Sequence, residues 1–198
     1  MAGTYPTTPE FASIGFSSEQ KTITSTTDSG KMFSVQVDGQ RFKFSASYPP
    51  MNRSEFAPVY AFIMKQRSQK ETFQIALPDL KNAKGDVSSI VSTNESHTAG
   101  DTTIDIQNIT NGTNLKAGDF IKFESHTKVY LVVEDATGDS NDEATITIEP
   151  PLREDVPNGN TIVYDGVEFT VRLTNDVQEF NTGDLDLYRF EVDFIEAL

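Results

Sequence analysis

Between Tyr48 and Pro78 the sequence supports one helix and then one strand, and it offers no second convincing helix elsewhere. Phe56, Val59, Tyr60 and Ile63 fall at i, i+3, i+4 and i+7, which puts them on one apolar helical face. The spacing predicts a helix over 55–67, with Pro58 in the first turn, where an amide donor is dispensable. Lys65 and Arg67 then sit near the C-terminal end, favourable against the helix dipole. Thr72 to Leu77 follows as a strand with Phe73, Ile75 and Leu77 on one face, and Pro78 stops it. A chain with one short helix among strands belongs to the mainly β class.

The flanking segments read as strands and turns. Residues 1–20 read as an extended arm, denied helix by Pro6 and Pro9 and carrying Phe11, Ile14 and Phe16 as apolar anchors. Such an arm packs on its own domain or reaches a neighbour. Asp28-Ser29-Gly30 marks a turn. Met32, Phe33, Val35 and Val37 lead into Asp38-Gly39, a hairpin signal, after which Phe42 and Phe44 alternate with polar residues. Segments 31–37 and 41–47 are therefore expected to pair antiparallel. Near the end, Glu168 to Leu173 is one strand and Tyr188 to Ile195 another, with Asn181-Thr-Gly183 as a turn between them. In the last strand Tyr188, Phe190, Val192 and Phe194 alternate with Arg189, Glu191 and Asp193, giving an aromatic and a charged face. These closing strands are expected to complete the sheet begun by residues 31–77. Residues 101–165 read as five or six short strands, a small barrel or sandwich. The domain organisation expected is an arm at 1–20, a split β-barrel or sandwich at 21–87 plus 166–198, a linker at 88–100, and an inserted small all-β domain at 101–165.

Fourteen Phe and six Tyr among 198 residues give enough apolar area for a packed core, although hydrophobic residues are only 36%. Cys is absent, which removes disulfides and thiolate chemistry. No apolar run approaches the roughly 20 residues that span a bilayer, and the first residues lack the regions of a signal peptide. Synthesis in a cytoplasm without export by that route, and no membrane partner, are the expectations. Net charge is −14 and uneven. Residues 1–87 hold ten Lys/Arg and eight Asp/Glu, whereas residues 88–198 hold six and twenty-two. That balance fits a solvated acidic surface, or a surface such as a conduit wall that must not hold a polyanion. It disfavours sequence-specific DNA binding, which needs a basic face.

Catalytic and ligand-binding signals are weak. His97 and His126 are far apart, lack metal-ligand spacing, and are expected at the surface. No nucleophile elbow or phosphate-cradling Gly-rich loop occurs. Asp139-Ser-Asn-Asp-Glu143 has a calcium-loop composition without the full spacing and reads as a solvated turn. The sequons at Asn94, Asn108 and Asn111 carry no meaning without export. No catalytic residue, cofactor or metal ligand is assigned, and the chain is not expected to be an enzyme.

The set Ser29-Gly30, Tyr48-Pro-Pro-Met51, Pro58-Val-Tyr-Ala-Phe-Ile63, Glu71-Thr-Phe-Gln-Ile-Ala-Leu-Pro78 and Gly85 resembles the N-terminal domain of tailed-bacteriophage distal tail proteins. Leu115-Lys-Ala-Gly-Asp-Phe-Ile121, Lys128-Val-Tyr-Leu-Val-Val133 and Ile146-Thr-Ile-Glu-Pro-Pro-Leu-Arg153 resemble an inserted β domain of phage tail and baseplate components. The resemblance implies a split β-barrel "belt" domain that assembles as a hexameric ring at the lower end of the tail tube. The ring would join the tube protein to hub, tail-tip or baseplate proteins in the virion, with the insert projecting outward and DNA passing without specific binding. The large C-terminal carbohydrate-binding-like domain of many such proteins has no room here, so no module is assigned to direct receptor binding. Candidate ring-interface or lumen residues are Phe42, Phe44, Tyr188, Phe190, Glu191 and Asp193, with Glu191 and Asp193 proposed for the channel wall. A carbohydrate-binding or adhesion module would also suit an all-β chain with surface aromatics. A glycan-cleaving enzyme would need two carboxylates facing each other in a cleft.

Overall fold

The computed structural model describes residues 3–37, 39–182 and 187–198. It is mainly β, with one helix among the described residues and a nearly closed, barrel-like sheet as well as several other sheets. The chain divides into two compact units. One takes the chain up to Gln74 together with Thr170–Leu198, and the other is the continuous stretch Ile75–Phe169. Among the described residues no helix is long and apolar enough to cross a membrane.

The first unit begins with β1 (Ser13–Glu19), β2 (Thr22–Thr26), β3 (Met32–Gln36) and β4 (Arg41–Ser47). β1 pairs antiparallel with β4 from Ser13 opposite Ser47 to Glu19 opposite Arg41. β2 pairs with β3 from Thr22 opposite Gln36 to Thr26 opposite Met32. The amide of Val37 donates to the Lys21 carbonyl at 2.8 Å and extends that pairing. Together these strands form one long hairpin in two registers, because the returning side spends two more residues between its strands than the outgoing side.

The expected hairpin across Asp38-Gly39 is corrected by this pairing: β3 lies against β2, and β4 lies against β1 and β16 (Tyr188–Glu196). Asp38 lies outside the described residues. The reversal occurs ten residues earlier. Thr27 donates to the Lys31 carbonyl at 2.9 Å and Gly30 to the Thr27 carbonyl at 2.8 Å, with Gly30 left-handed at φ +81°. That is a three-residue hairpin turn whose last position favours glycine. Thr22–Thr26, poor in apolar residues, becomes a strand because threonine is β-branched.

The helix α1 (Arg53–Lys65) starts two residues before the expected position. Asn52 sets the start: its side chain accepts from the Glu55 amide at 3.1 Å, and Glu55 Oε2 accepts from the Asn52 amide at 3.0 Å. This capping box outweighs the preference for Pro58 in the first turn. Pro58 is instead the sixth helical residue. Phe56, Val59 and Ile63 are buried and Tyr60 is half-buried. Left-handed Arg67 and Ser68 end the turn beyond the helix.

β5 (Phe73–Ala76) and β14 (Glu168–Leu173) carry the chain between the units. The large sheet runs β1-β4-β16-β14-β5, and β15 (Phe180–Thr182) also pairs β16. The opening third and the closing strands thus share one sheet. Residues 3–5 lie along β5, with Thr4 bridged to Gln74. The turn expected at Asn181-Thr-Gly183 is corrected for Asn181 and Thr182, which belong to β15, while Gly183 lies outside the described residues. The core of this unit is aromatic: Phe73, Phe190 and Phe194 are buried, and Tyr5 lies 5.8 Å from Phe73 and 5.3 Å from Phe194 between ring centroids.

The second unit contains β6 (Ser92–Thr93), β7 (Thr103–Gln107), β8 (Asn114–Leu115), β9 (Phe120–Phe123), β10 (Val129–Val132), β11 (Ala136–Thr137), β12 (Glu143–Glu149) and β13 (Ile162–Val163). Six of these form a sheet in the order β13-β9-β10-β12-β7-β6, and β8 pairs β11. Ile104, Ile106, Ile121, Phe123, Tyr130 and Ile146 are central to its core. The stretch read as a linker, 88–100, contributes β6 and the buried Val91. Buried Asp119 accepts from the amides of Lys84, Gly85 and Lys116 at 2.7, 3.3 and 2.7 Å, so one carboxylate ties the 84–85 loop to its own turn.

Candidate assembly surface

β16 separates its two faces by strict alternation. Phe190, Val192 and Phe194 are buried, whereas Arg189, Glu191 and Asp193 are exposed. Of the candidate interface residues, Phe42, Phe44 and Phe190 turn their side chains into the core of their own unit. Tyr188 is half-buried and stacks on Phe56 at 4.6 Å between ring centroids. Glu191 and Asp193 are the two that face outward.

Register places those acids in defined rows across the sheet. Glu191 lies opposite Ser47, which lies opposite Ser13; Asp193 lies opposite Ser45, which lies opposite Gly15. Directly opposed residues share a face, so this face pairs carboxylates with a field of small residues. A shallow depression of about 420 Å³ opens there, lined among others by Gly15, Ser45, Thr174 and Asp193. Lys43, on the same face, is held by Glu19 at 2.7 Å. Among the described residues neither Glu191 nor Asp193 is in an ion pair. The face is thus smooth, hydroxyl-rich and net negative along β16. Both edges of β4 and of β16 are occupied by strands of the same chain, and β1 is the terminal strand of the sheet on its side.

The second unit carries an acidic depression of about 480 Å³ that includes Glu95, Asp105, Asp139 and Glu143. Its carboxylates serve their own backbone and neighbours. Asp139 accepts from the amides of Asn141 and Glu143 at 2.8 and 3.0 Å, and Glu143 accepts from the Asn94 side chain at 3.0 Å. The 139–143 loop is thus a self-capped turn. Among the described residues no group of three or more His, Asp or Glu stands in an arrangement that could hold a metal ion.

Both histidines are buried, each 6% exposed, which corrects the expectation of surface positions. His126 packs on Phe123 and its Nδ1 lies 3.0 Å from the Tyr130 hydroxyl. The Tyr130 hydroxyl also accepts from the Arg153 amide at 3.2 Å. His97 Nε2 accepts from the Asp105 amide at 3.2 Å. Polar sequence neighbours hid the apolar partners that the fold supplies.

The chain is 26% identical over 179 residues to the distal tail protein pb9 of Escherichia phage T5, a match covering 85% of this chain and 84% of that protein. No protein-family model matches. The resemblance to phage distal tail proteins therefore holds along most of the chain. It supports a structural role in the tail of a phage virion.

Proposed function

We propose that copies of this chain form a hexameric ring at the distal end of a phage tail tube, joining the tube protein to hub, tail-tip or baseplate proteins. The unit made of the chain up to Gln74 and Thr170–Leu198 forms the belt of the ring, the insert within Ile75–Phe169 projects outward, and DNA passes through the centre without specific binding. Synthesis takes place in the host cytoplasm. The observation that carries this reading is the single sheet β1-β4-β16-β14-β5, built from both ends of the chain and terminated by an edge at β1. Exposed edges are templates for pairing with another chain, and repetition around a closed ring removes them. The likeness to a distal tail protein supports the place in the tail.

Glu191 and Asp193 line the channel in this reading. Their outward carboxylates, in no ion pair among the described residues, repel phosphate, and Lys43 on the same face is already held by Glu19. Cryo-electron microscopy of the virion tests the assignment: six copies surrounding the channel at the tube end are expected. A chain found elsewhere in the particle, or in a different copy number around the channel, overturns it.

A further inference from the structure

The large sheet ends at β1 on one side and at β5 on the other. Among the described residues the two ends are finished differently. β1 pairs only β4 and leaves its outer border open. The outer border of β5 is taken by residues 3–5, which run parallel to it. The Tyr5 amide donates to the Gln74 carbonyl at 2.7 Å, and the Gln74 amide donates to the Gly3 carbonyl at 3.0 Å. Gln74 thus commits both backbone groups to a segment of its own chain.

Three residues suffice because Tyr5 anchors them. Its side chain is buried, with its ring 5.4 Å from Phe62, 5.8 Å from Phe73 and 5.3 Å from Phe194 between centroids, and its hydroxyl accepts from Tyr48 at 3.0 Å. Thr4, between the two bonded residues, is exposed. Backbone polar groups alternate in direction along extended chain. Gly3 and Tyr5 turn theirs to Gln74, so Thr4 turns its amide and carbonyl away from β5. The next residue in that outward row is Pro6, which has no amide to donate. The segment therefore replaces a border that could take a strand with one that offers a single complete residue and then a proline. Short edges and prolines are the means by which a sheet border is denied to other chains.

We propose that residues 3–5 are an edge guard: held by Tyr5, they occupy the β5 border and keep it from taking a strand of a second copy of this chain. With an open border at each end of one sheet, copies could add head-to-tail into open filaments as readily as into rings. Guarding β5 leaves β1 as the border of this sheet through which copies meet. The inference rests on the ring reading for its purpose, whereas the guard itself is a property of the single chain.

The chain has no Cys, so Thr4→Cys with Gln74→Cys, at bridge partners, makes a removable tie. In the full chain carrying this pair and Tyr5→Ala, oxidation holds residue 4 on β5 and reduction releases it. Size-exclusion chromatography with light scattering is expected to show the reduced form self-associating at a concentration at least about tenfold lower than the oxidised form. Circular dichroism checks that both are folded. Equal association in the two states overturns the proposal. Should Tyr5→Ala unfold the chain, Tyr5→Leu takes its place and is judged by the same criterion. Virions carrying only the cysteine pair give a second reading: oxidised tails should yield single chains on a non-reducing gel, and a ladder of linked chains, meaning that residues 3–5 reach a neighbour, overturns the guard. Electron microscopy of the same tails separates the two ideas. A ring with equal association in both redox states leaves the ring reading standing and removes the guard, whereas a redox-dependent association without a ring does the reverse.

Discussion

At the scale of single residues, the first unit keeps two tyrosine hydroxyls out of water. Tyr48 donates to Tyr5 at 3.0 Å. Burial pushes the Tyr48 hydroxyl up to about 12 and that of Tyr5 higher still, the latter raised further by the neighbouring Tyr48. In the unfolded chain both titrate near pH 10. Below about pH 10 both states hold their protons and the contribution to stability is complete. Above it the unfolded chain loses protons that the folded chain keeps, so stability falls as pH climbs from about 10 toward 12. Tyr48→Phe should flatten that fall, read as urea midpoints between pH 9 and 12 for both proteins; parallel curves would refute the account. Gly85 is limited by space. A Cβ there would stand 1.9 Å from the Asn114 carbonyl oxygen, so Gly85→Ala must move backbone that Asp119 and Asp86 hold. A loss of about 1–3 kcal/mol is expected from such crowding, measured by thermal or denaturant unfolding. Neither feature was legible in the sequence, because Tyr5 meets Tyr48, and Gly85 meets Asn114, only through tertiary pairing. The burial of His97 and His126 was hidden for the same reason.

Elements were legible where periodicity was strong. Phe56, Val59 and Ile63 mark the buried face of α1, and the alternation from Tyr188 to Phe194 marks β16. Partner choice was not, since Asp38-Gly39 is a local signal and strand pairing is settled by the whole sheet. The Asn52-x-x-Glu55 cap was present in the sequence and sets the helix start more firmly than the position of Pro58. The exposed β2–β3 ribbon was readable only as a turn and an apolar segment; that no described residue outside it covers it is a property of the fold. It follows that the ribbon contributes little to the stability of the isolated protein. Replacing residues 22–36 by a short turn that keeps β1 and β4 paired should leave the melting temperature within about 4 °C of the parent, a shift of the size that about 1 kcal/mol produces in a domain this large. A larger drop, followed by circular dichroism, would mean that the ribbon supports its own unit.

On the scale of the whole molecule, the joining of both chain ends in one sheet follows from matched alternation at 41–47 and 188–196. The acidic bias was plain from composition, but which acids face outward on the sheet required the register. If Glu191 and Asp193 border the channel, Glu191→Lys with Asp193→Lys should slow DNA ejection without blocking tail assembly. Ejection followed by dye fluorescence from purified virions checks this, and unchanged kinetics would sink the lumen assignment. The long hairpin carries one more implication. Its two registers agree on which side each residue occupies only because the surplus on the return strand is an even number. Parity is therefore a rule for this joint: lengthening or trimming 37–40 by two residues preserves which side of the β2–β3 ribbon carries Ile23, Phe33 and Val35, while a change of one turns that side over.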